Sequence, residues 1–430
     1  MLERSSKNGS RSPGRPRKRT REQQTRGTRE ALMKGALRVV ARHGYAKASV
    51  ARITEAAGVA QGTFYSYFDT HQQLLSELLP SEGIQLLDWL GRAAHGTEDY
   101  FMHERRAFSA FFEYIKKHPY FLRVLTEAEI AAPESYAQHM SNIEDRYVGA
   151  LRRAAERGQI ERRDDATFRV IAEVLAGARG HIAFGLSEQG RRSGQPISPD
   201  AVVETFVKFL RHGLGVQLPS GVKVAAASKA IKARRSEPAP HDTRALLLRT
   251  ASLLVHKHGY QATTIARITD AAKVAVGTFY AHFPSRQHLL DEILDHMRQS
   301  LLAYVREHTR GSRTFIEMEA RGFQGFFEFL TLHPEYIRIE SEAAVWAKES
   351  STRHFIDLET RYTSAMRRSR ASGEITLYGE SEFPTLSYIL MAARHYLSTR
   401  YALAKGTVRR MPPFAQTAYI DLVQRGLSIR

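Results

Sequence analysis

The sequence predicts an all-α chain made of one helical unit written twice, and three observations carry that expectation. Residues 43–75 and 258–290 agree at 19 of 33 positions without a gap, at a constant offset of 215. The offset persists downstream, where Phe111-Phe112-Glu113 meets Phe326-Phe327-Glu328, His118-Pro119 meets His333-Pro334 and Ala178-Arg179 meets Ala393-Arg394. Apolar residues recur at helical spacing, as in Leu32, Ala36, Val39 and Val40 and again in Leu247, Ala251, Leu254 and Val255. No alternating apolar–polar pattern with hairpin turns competes with that reading. Since 430 is twice 215, the whole chain reads as a duplication.

Four hundred and thirty residues exceed one core and fit two domains of roughly 200. A hydrophobic fraction of 43% is enough to build those cores. The absence of cysteine excludes a disulfide scaffold and a Cys-based zinc site, and it suits a reducing cytoplasm. No apolar run approaches the roughly 18 residues of a membrane span, so no membrane partner is expected and the location is read as cytoplasmic and nucleoid-associated. The net charge is +18. Ten Lys/Arg against three Glu in residues 1–30, and five Lys/Arg with no acid in residues 215–236, supply two thirds of it. Basic arms of this kind engage phosphate backbones by releasing counterions.

Taken in order, residues 1–26 read as a basic arm and 27–72 as a first three-helix domain. A first helical effector and dimerisation domain follows over 73–214, then a basic linker over 215–241. Residues 242–287 and 288–430 repeat the two domains. Within each small domain the first helix ends at Gly44 or Gly259, where glycine accepts a left-handed cap. Ser49 and Thr264 are good N-caps for a second helix over 50–57 or 265–272. A third follows over 61–68 or 276–283. Phe64 and Phe68 lie four apart, so both anchor one face and the residues between them point outward.

A capped helix, a tight turn and a short third helix form the layout that places a recognition helix in a major groove. The details go further. Gly58-Val59-Ala60-Gln61-Gly62-Thr63-Phe64-Tyr65-Ser66-Tyr67-Phe68 and its second version resemble the tetracycline-repressor-like (TetR/AcrR) transcription regulators. The resemblance covers about 47 residues in each copy. It implies nine-helix subunits, each with an N-terminal DNA-binding domain and a C-terminal ligand and dimerisation domain. It also implies repression of an operator, relieved by a small molecule, apolar or acidic.

Carried over position by position, the resemblance implies that Gln61, Gly62, Thr63, Tyr65 and Tyr67 face DNA in the first copy. Val276, Gly277, Thr278, Tyr280 and His282 do so in the second. Gln pairs bidentately with adenine and Val packs on a thymine methyl, whereas Thr and Tyr hydroxyls more often hold phosphates. Ser49 and Thr264 touch the backbone as well as capping. His71 and Arg286 stand where the family carries a phosphate-gripping lysine. Lys273 replaces the turn glycine present as Gly58, at a cost of roughly 1 kcal/mol that a phosphate contact would offset. Because Gln61/Val276 and Tyr67/His282 differ, an operator with two unlike half-sites is expected. Arg15 and Arg17, in Pro13-Gly14-Arg15-Pro16-Arg17, resemble an AT-hook that enters the minor groove of A·T tracts.

The aromatic stripes Phe108, Phe111, Phe112, Tyr114 and Phe323, Phe326, Phe327, Phe329 read as core. Arg179 and Arg394, retained at matching positions, meet either an acidic ligand or a structural counter-ion. The last two helices of each unit, about 164–190 with 199–213 and 379–405 with 413–428, would form the family's four-helix dimer interface. Here that interface would close within one chain as a pseudo-dimer, with a further homodimer left open. No Gly-x-Ser-x-Gly, phosphate-binding glycine loop or His-Glu-x-x-His is present, so neither an enzyme nor a cofactor or metal is expected. The rival reading is an architectural, nucleoid-type DNA binder with little sequence preference and no effector.

Overall fold

The computed structural model of the chain describes residues 21–193, 198–215, 242–404 and 407–429. The expected arm residues Arg15 and Arg17 and the basic linker residues Lys223, Lys229, Lys232, Arg234 and Arg235 lie outside the described residues. The chain divides into two bodies, Met1–Leu78 and Leu79–Arg430.

The first body holds α1 (Arg21–His43), α2 (Val50–Ala57), α3 (Gln61–Phe64) and the start of α4 (His71–Ala94). Helix α1 begins six residues before the boundary expected at 27. Its core is the expected stripe: Leu32, Ala36, Val40, Ile53, Phe64 and Phe68 are all but sealed from solvent. Burial of side chains of this size stabilises by about 1.5–3 kcal/mol each, which holds the short helices α2 and α3 that would not persist alone.

The second body completes the first repeat with α5 (Tyr100–Lys117), α6 (Phe121–Ala131), α7 (Pro133–Glu156), α8 (Asp165–Ser193) and α9 (Pro199–Leu214). It then holds the second repeat: α10 (Thr243–His258), α11 (Ile265–Ala272), α12 (Val276–His282), α13 (Arg286–Thr309), α14 (Phe315–Leu332), α15 (Tyr336–Trp346), α16 (Lys348–Ala371), α17 (Phe383–Leu397) and α18 (Pro413–Gly426). Among the described residues each repeat therefore contributes nine α-helices. Caps recur at matching places: Asp99 accepts from Met102 N at 2.7 Å and Thr314 from Glu317 N at 3.2 Å.

The repeats meet along their last helices, α8 crossing α17 and α9 packing on α18, as the sequence led us to expect. Helix α8 is apolar enough to pass a compositional test for a membrane span, but 67% of that stretch is buried in the protein. Two local departures appear in the second repeat. After Leu397 the chain turns through one π-helical segment, Ser398–Ala402, and a two-residue antiparallel ladder pairs Leu403 with Val408 and Ala404 with Thr407. The offset of 215 also fails beyond this point. His212-Gly213-Leu214 corresponds to Arg425-Gly426-Leu427, an offset of 213, so the second repeat has two fewer residues over this region although its last two helices are joined by a longer non-α-helical stretch.

Candidate nucleic-acid interface and effector cavity

Each helix-turn-helix is built from the residues the sequence singled out. Ser49 Oγ accepts from Arg52 N at 3.4 Å and Thr264 Oγ1 from Arg267 N at 3.3 Å, starting α2 and α11. The same two arginines reach back to carbonyls, Arg52 to Lys47 O at 3.0 Å and Arg267 to Ala262 O at 2.9 Å. At the turn Gly58 adopts φ 68°, ψ 32°, and Lys273 is held in the same left-handed region at φ 56°, ψ 43°. The glycines ending α1 and α10 also have positive φ, 81° and 80°, but with ψ near 165°, a more extended conformation than the left-handed helical cap expected. Only glycine adopts it freely.

In the third-helix segments Phe64 and Phe68 point inward with tilted rings 5.6 Å apart between centroids, and Phe279 and Phe283 do so at 5.7 Å. The intervening residues turn out: Tyr65 is 60% and Tyr280 55% exposed, and Val276 48%. Neither tyrosine is buried against a neighbouring helix. Gln61, Gly62 and Gly277 are exposed, while Thr63, Tyr67, Thr278 and His282 are half-exposed. Neither Gly62 nor Gly277 has any atom within 4 Å of where a Cβ would stand, so each presents open backbone.

The two segments are not alike in shape. Helix α3 stops at Phe64, where Ser66 N and Tyr67 N bond three residues back, whereas α12 runs on to His282. Ser66 against Ala281 accounts for part of this, since serine is the poorer helix former.

His71 and Arg286 have an internal task that the sequence reading missed. His71 Nε2 meets Ala48 O, and Arg286 Nη1 donates to Tyr260, Gln261 and Thr263 carbonyls at 3.2–3.3 Å while its guanidinium lies 4.3 Å from the Tyr260 ring centre. Ala48 and Thr263 are equivalent positions. Both side chains thus satisfy the last carbonyls of the turn that leads into α2 or α11, and position those helices from within. The signal available was that both positions hold a side chain able to donate to a carbonyl.

A second feature lies in the first repeat. A cavity of about 330 Å³ is lined by Leu86, Leu90, Phe111, Met140 and Ile143 among other apolar residues, and Tyr396 of the second repeat closes one wall. Its polar lining includes His139, Tyr147, Glu104 and Arg179, with Arg146 and Arg153 also on its wall. His139 Nε2, Tyr147 Oη and Arg179 Nε are buried with no hydrogen-bond partner. Burial pulls the His139 imidazole down to about 4, so it is neutral at physiological pH. Arg179 is matched by Glu104 at 2.7 Å, and Arg394 by Glu319 at 3.0 Å. The arginines that the sequence left between ligand and counter-ion are therefore paired structurally.

Equivalent positions in the second repeat carry larger residues, of which Met391 is buried and Arg306 is exposed. Gly91, Ala176 and Gly180 correspond to Arg306, Met391 and His395. Tyr419 stacks on Phe323 at 4.3 Å and bonds Glu319 at 2.7 Å, where the first repeat has Phe206 edge-on to Phe108.

Residues 32–78 and 247–293 match the family profile described as bacterial regulatory proteins, tetR family. The uncharacterized HTH-type transcriptional regulator YvdT of Bacillus subtilis (strain 168) is 36% identical over 77 residues, 18% of this chain and 40% of that protein. The HTH-type transcriptional repressor KstR2 of Mycobacterium tuberculosis is 29% identical over 101 residues, 24% of this chain and 50% of the repressor. The chain thus spans about half the length of these curated relatives. Among solved structures, the fatty acid degradation regulator FadR from Bacillus halodurans aligns with TM-score 0.38 and 19% identity, over 43% of this chain and 94% of that one.

Proposed function

Because the chain belongs to the tetR family of bacterial regulatory proteins, we propose that it is a sequence-specific transcriptional repressor with two DNA-reading heads in one molecule. Residues Gln61 to Tyr67 form one head and Val276 to His282 the other. The observation that carries this reading is the pattern of exposure: in both segments the phenylalanines are buried and the tyrosines stand in solvent. Thr63, Tyr65, Thr278 and Tyr280 are common to both heads and would hold phosphates. Gln61 and Val276 are both exposed at the same helical position and would read different bases, adenine and a thymine methyl. Ser49, Thr264 and Lys273 would add backbone contacts. His71 and Arg286 would act through the turns they brace rather than by touching DNA. The arm, with Arg15 and Arg17, would add non-specific affinity.

Release would come from a small molecule in the cavity of the first repeat. The apolar walls, the neutral His139 and the unbonded Tyr147 hydroxyl suit an apolar molecule carrying one hydrogen-bonding group. Glu104 neutralises Arg179, while Arg146 and Arg153 on the same wall would suit an acidic group, so an apolar or an acidic molecule would fit.

Selection of bound sites from random duplexes at about 150 mM salt, with footprinting of the winner, tests the proposal. Two unlike half-sites one helical turn apart are expected. A perfect palindrome would remove the unlike-heads reading. Enrichment of A·T content alone would favour an architectural binder driven by the basic arms.

A further inference from the structure

Duplication alone would let either repeat pair with a copy of itself, since both carry the same four-helix surface. The contacts between the repeats are not symmetric, however. Helix α8 offers two glycines, Gly177 and Gly185, eight residues apart. Helix α17 offers two tyrosines at the same spacing, Tyr388 and Tyr396. Tyr396 covers Gly177 and Tyr388 covers Gly185, so closely that a Cβ on either glycine would fall under 3.0 Å from the ring. The two-fold mates of these positions are different residues. Gly177 corresponds to Ala392 and Gly185 to Arg400; Tyr396 corresponds to His181 and Tyr388 to Glu173. Helices α9 and α18, by contrast, exchange equivalent contacts: Gly213 faces Leu422 and Gly426 faces Phe209.

The charges are divided in the same way. Arg163 Nη1 pairs with Asp421 Oδ2 at 2.7 Å, and Arg425 Nη1 with Glu161 Oε2 at 2.5 Å. On the other side of the pseudo-two-fold, Lys208 pairs with Glu382 at 3.0 Å, donates to Leu377 O at 2.8 Å and lies 4.5 Å from the Tyr378 ring centre. Lys208 and Asp421 are equivalent positions, as are Arg163 and Tyr378. Arg400 Nε lies 3.5 Å from the buried Glu173.

Each like-with-like pairing can be read off these equivalences. Second repeat against second repeat sets the Cβ of Ala392 on Tyr396 and Arg400 on Tyr388, where only glycine fits. First against first brings Lys208 to Arg163, leaves the glycine hollows without their tyrosines, and faces Glu173 with Gly185 in place of Arg400. A pair of like charges brought together at a seam is repulsive, and specificity of this kind arises from what the wrong partner meets.

We propose that the α8/α9 surface of the first repeat is a recognition surface for the α17/α18 surface of the second repeat and excludes copies of itself. One chain is then a closed heterotypic pair. The repeat that carries the cavity of about 330 Å³ then always faces the other repeat, and the two unlike heads always occur together.

The test uses the full chain with a protease site placed in residues 216–241 and a different tag at each end. After cleavage, native mass should give a one-to-one complex of unlike halves. Two such preparations carrying distinguishable N-terminal tags are mixed and incubated at an elevated, non-denaturing temperature. Unlike pairs should exceed like pairs at least tenfold; recovery of like halves at statistical proportion would overturn the proposal, as would dissociation into folded single halves. In the uncut chain, Gly177→Ala should lower the urea midpoint and Tyr396→Ala should restore it in the double variant. A double variant no more stable than Gly177→Ala would mean that the glycine answers to something other than the tyrosine, and would equally refute the lock. None of these readouts involves DNA or an effector, so their failure is distinct from failure of the repressor reading.

Discussion

Replacing Glu319 by glutamine should be among the most damaging single substitutions in the second body. Its carboxylate is 1% exposed. It accepts from Arg394 Nη2 at 3.0 Å, from Tyr419 Oη at 2.7 Å and from Tyr362 Oη at 3.4 Å. Arg394 lies 5.5 Å from the Tyr362 ring centre, and its pKa is raised: burial alone would lower it, but Glu319 and the two tyrosines outweigh that. The guanidinium therefore stays charged after the substitution and loses its counter-ion in a low-dielectric setting, a loss of about 3–5 kcal/mol. Urea denaturation followed by far-UV circular dichroism measures it as a lower midpoint at unchanged slope. Glu319→Gln combined with Arg394→Met should recover most of the loss, because removing both charges leaves none stranded. Glu104→Gln, beside the cavity, should cost less, since water reaching the cavity can solvate Arg179. A Glu319→Gln unfolding free energy within about 1 kcal/mol of the parent's would refute the argument that this pair, rather than apolar packing alone, holds the interior of the repeat.

Lys273→Gly should relieve the left-handed strain and raise stability by up to about 1 kcal/mol; if Lys273 meets a phosphate, the salt slope of operator binding should fall by about 1 at the same time. His139 and His354, at equivalent positions, are both pulled down to about 4 by burial. A depressed histidine stabilises fully above about pH 6.5 and less as pH falls through 4, so acid unfolding should set in over that window, and His139→Gln should flatten it in a pH series of urea midpoints. Glu173 is raised to about 8, chiefly by burial. Its contribution is full below about pH 4.5 and is lost as pH rises through 8, so Glu173→Gln should raise the thermal midpoint at pH 9 more than at pH 6.

Much of the helix-turn-helix geometry could be read from residues alone because it is local. An N-cap, a turn glycine and two phenylalanines four apart each act over fewer than about ten residues, where periodicity and capping chemistry decide the outcome. The bracing of the turns by His71 and Arg286 was not legible, because it joins segments 23 or more residues apart that only the folded domain brings together. The fate of Arg179 and Arg394 was undecided for the same reason: their counter-ions, Glu104 and Glu319, lie 75 residues away in sequence. The hollows at Gly177 and Gly185 did leave a signal. A glycine inside a helix costs about 1 kcal/mol against alanine, and two of them at the eight-residue spacing of Tyr388 and Tyr396 imply close packing.

The differences between the repeats follow from what each copy was free to lose. Residues that fix the small domains, such as Phe64/Phe279 and Thr54/Thr269, are the same in both, since each domain must fold by itself. Residues that act across the repeats need only suit one partner once both lie in a single chain. There a glycine on one side and a tyrosine on the other are as stable as two matched residues, and a lysine can replace an aspartate if its partner changes too. The same release from symmetry lets the first repeat keep Ala176 and Gly180 on its cavity wall where the second carries Met391 and His395. A homodimer must tolerate every substitution twice across its own axis, and could make none of these exchanges in a single step.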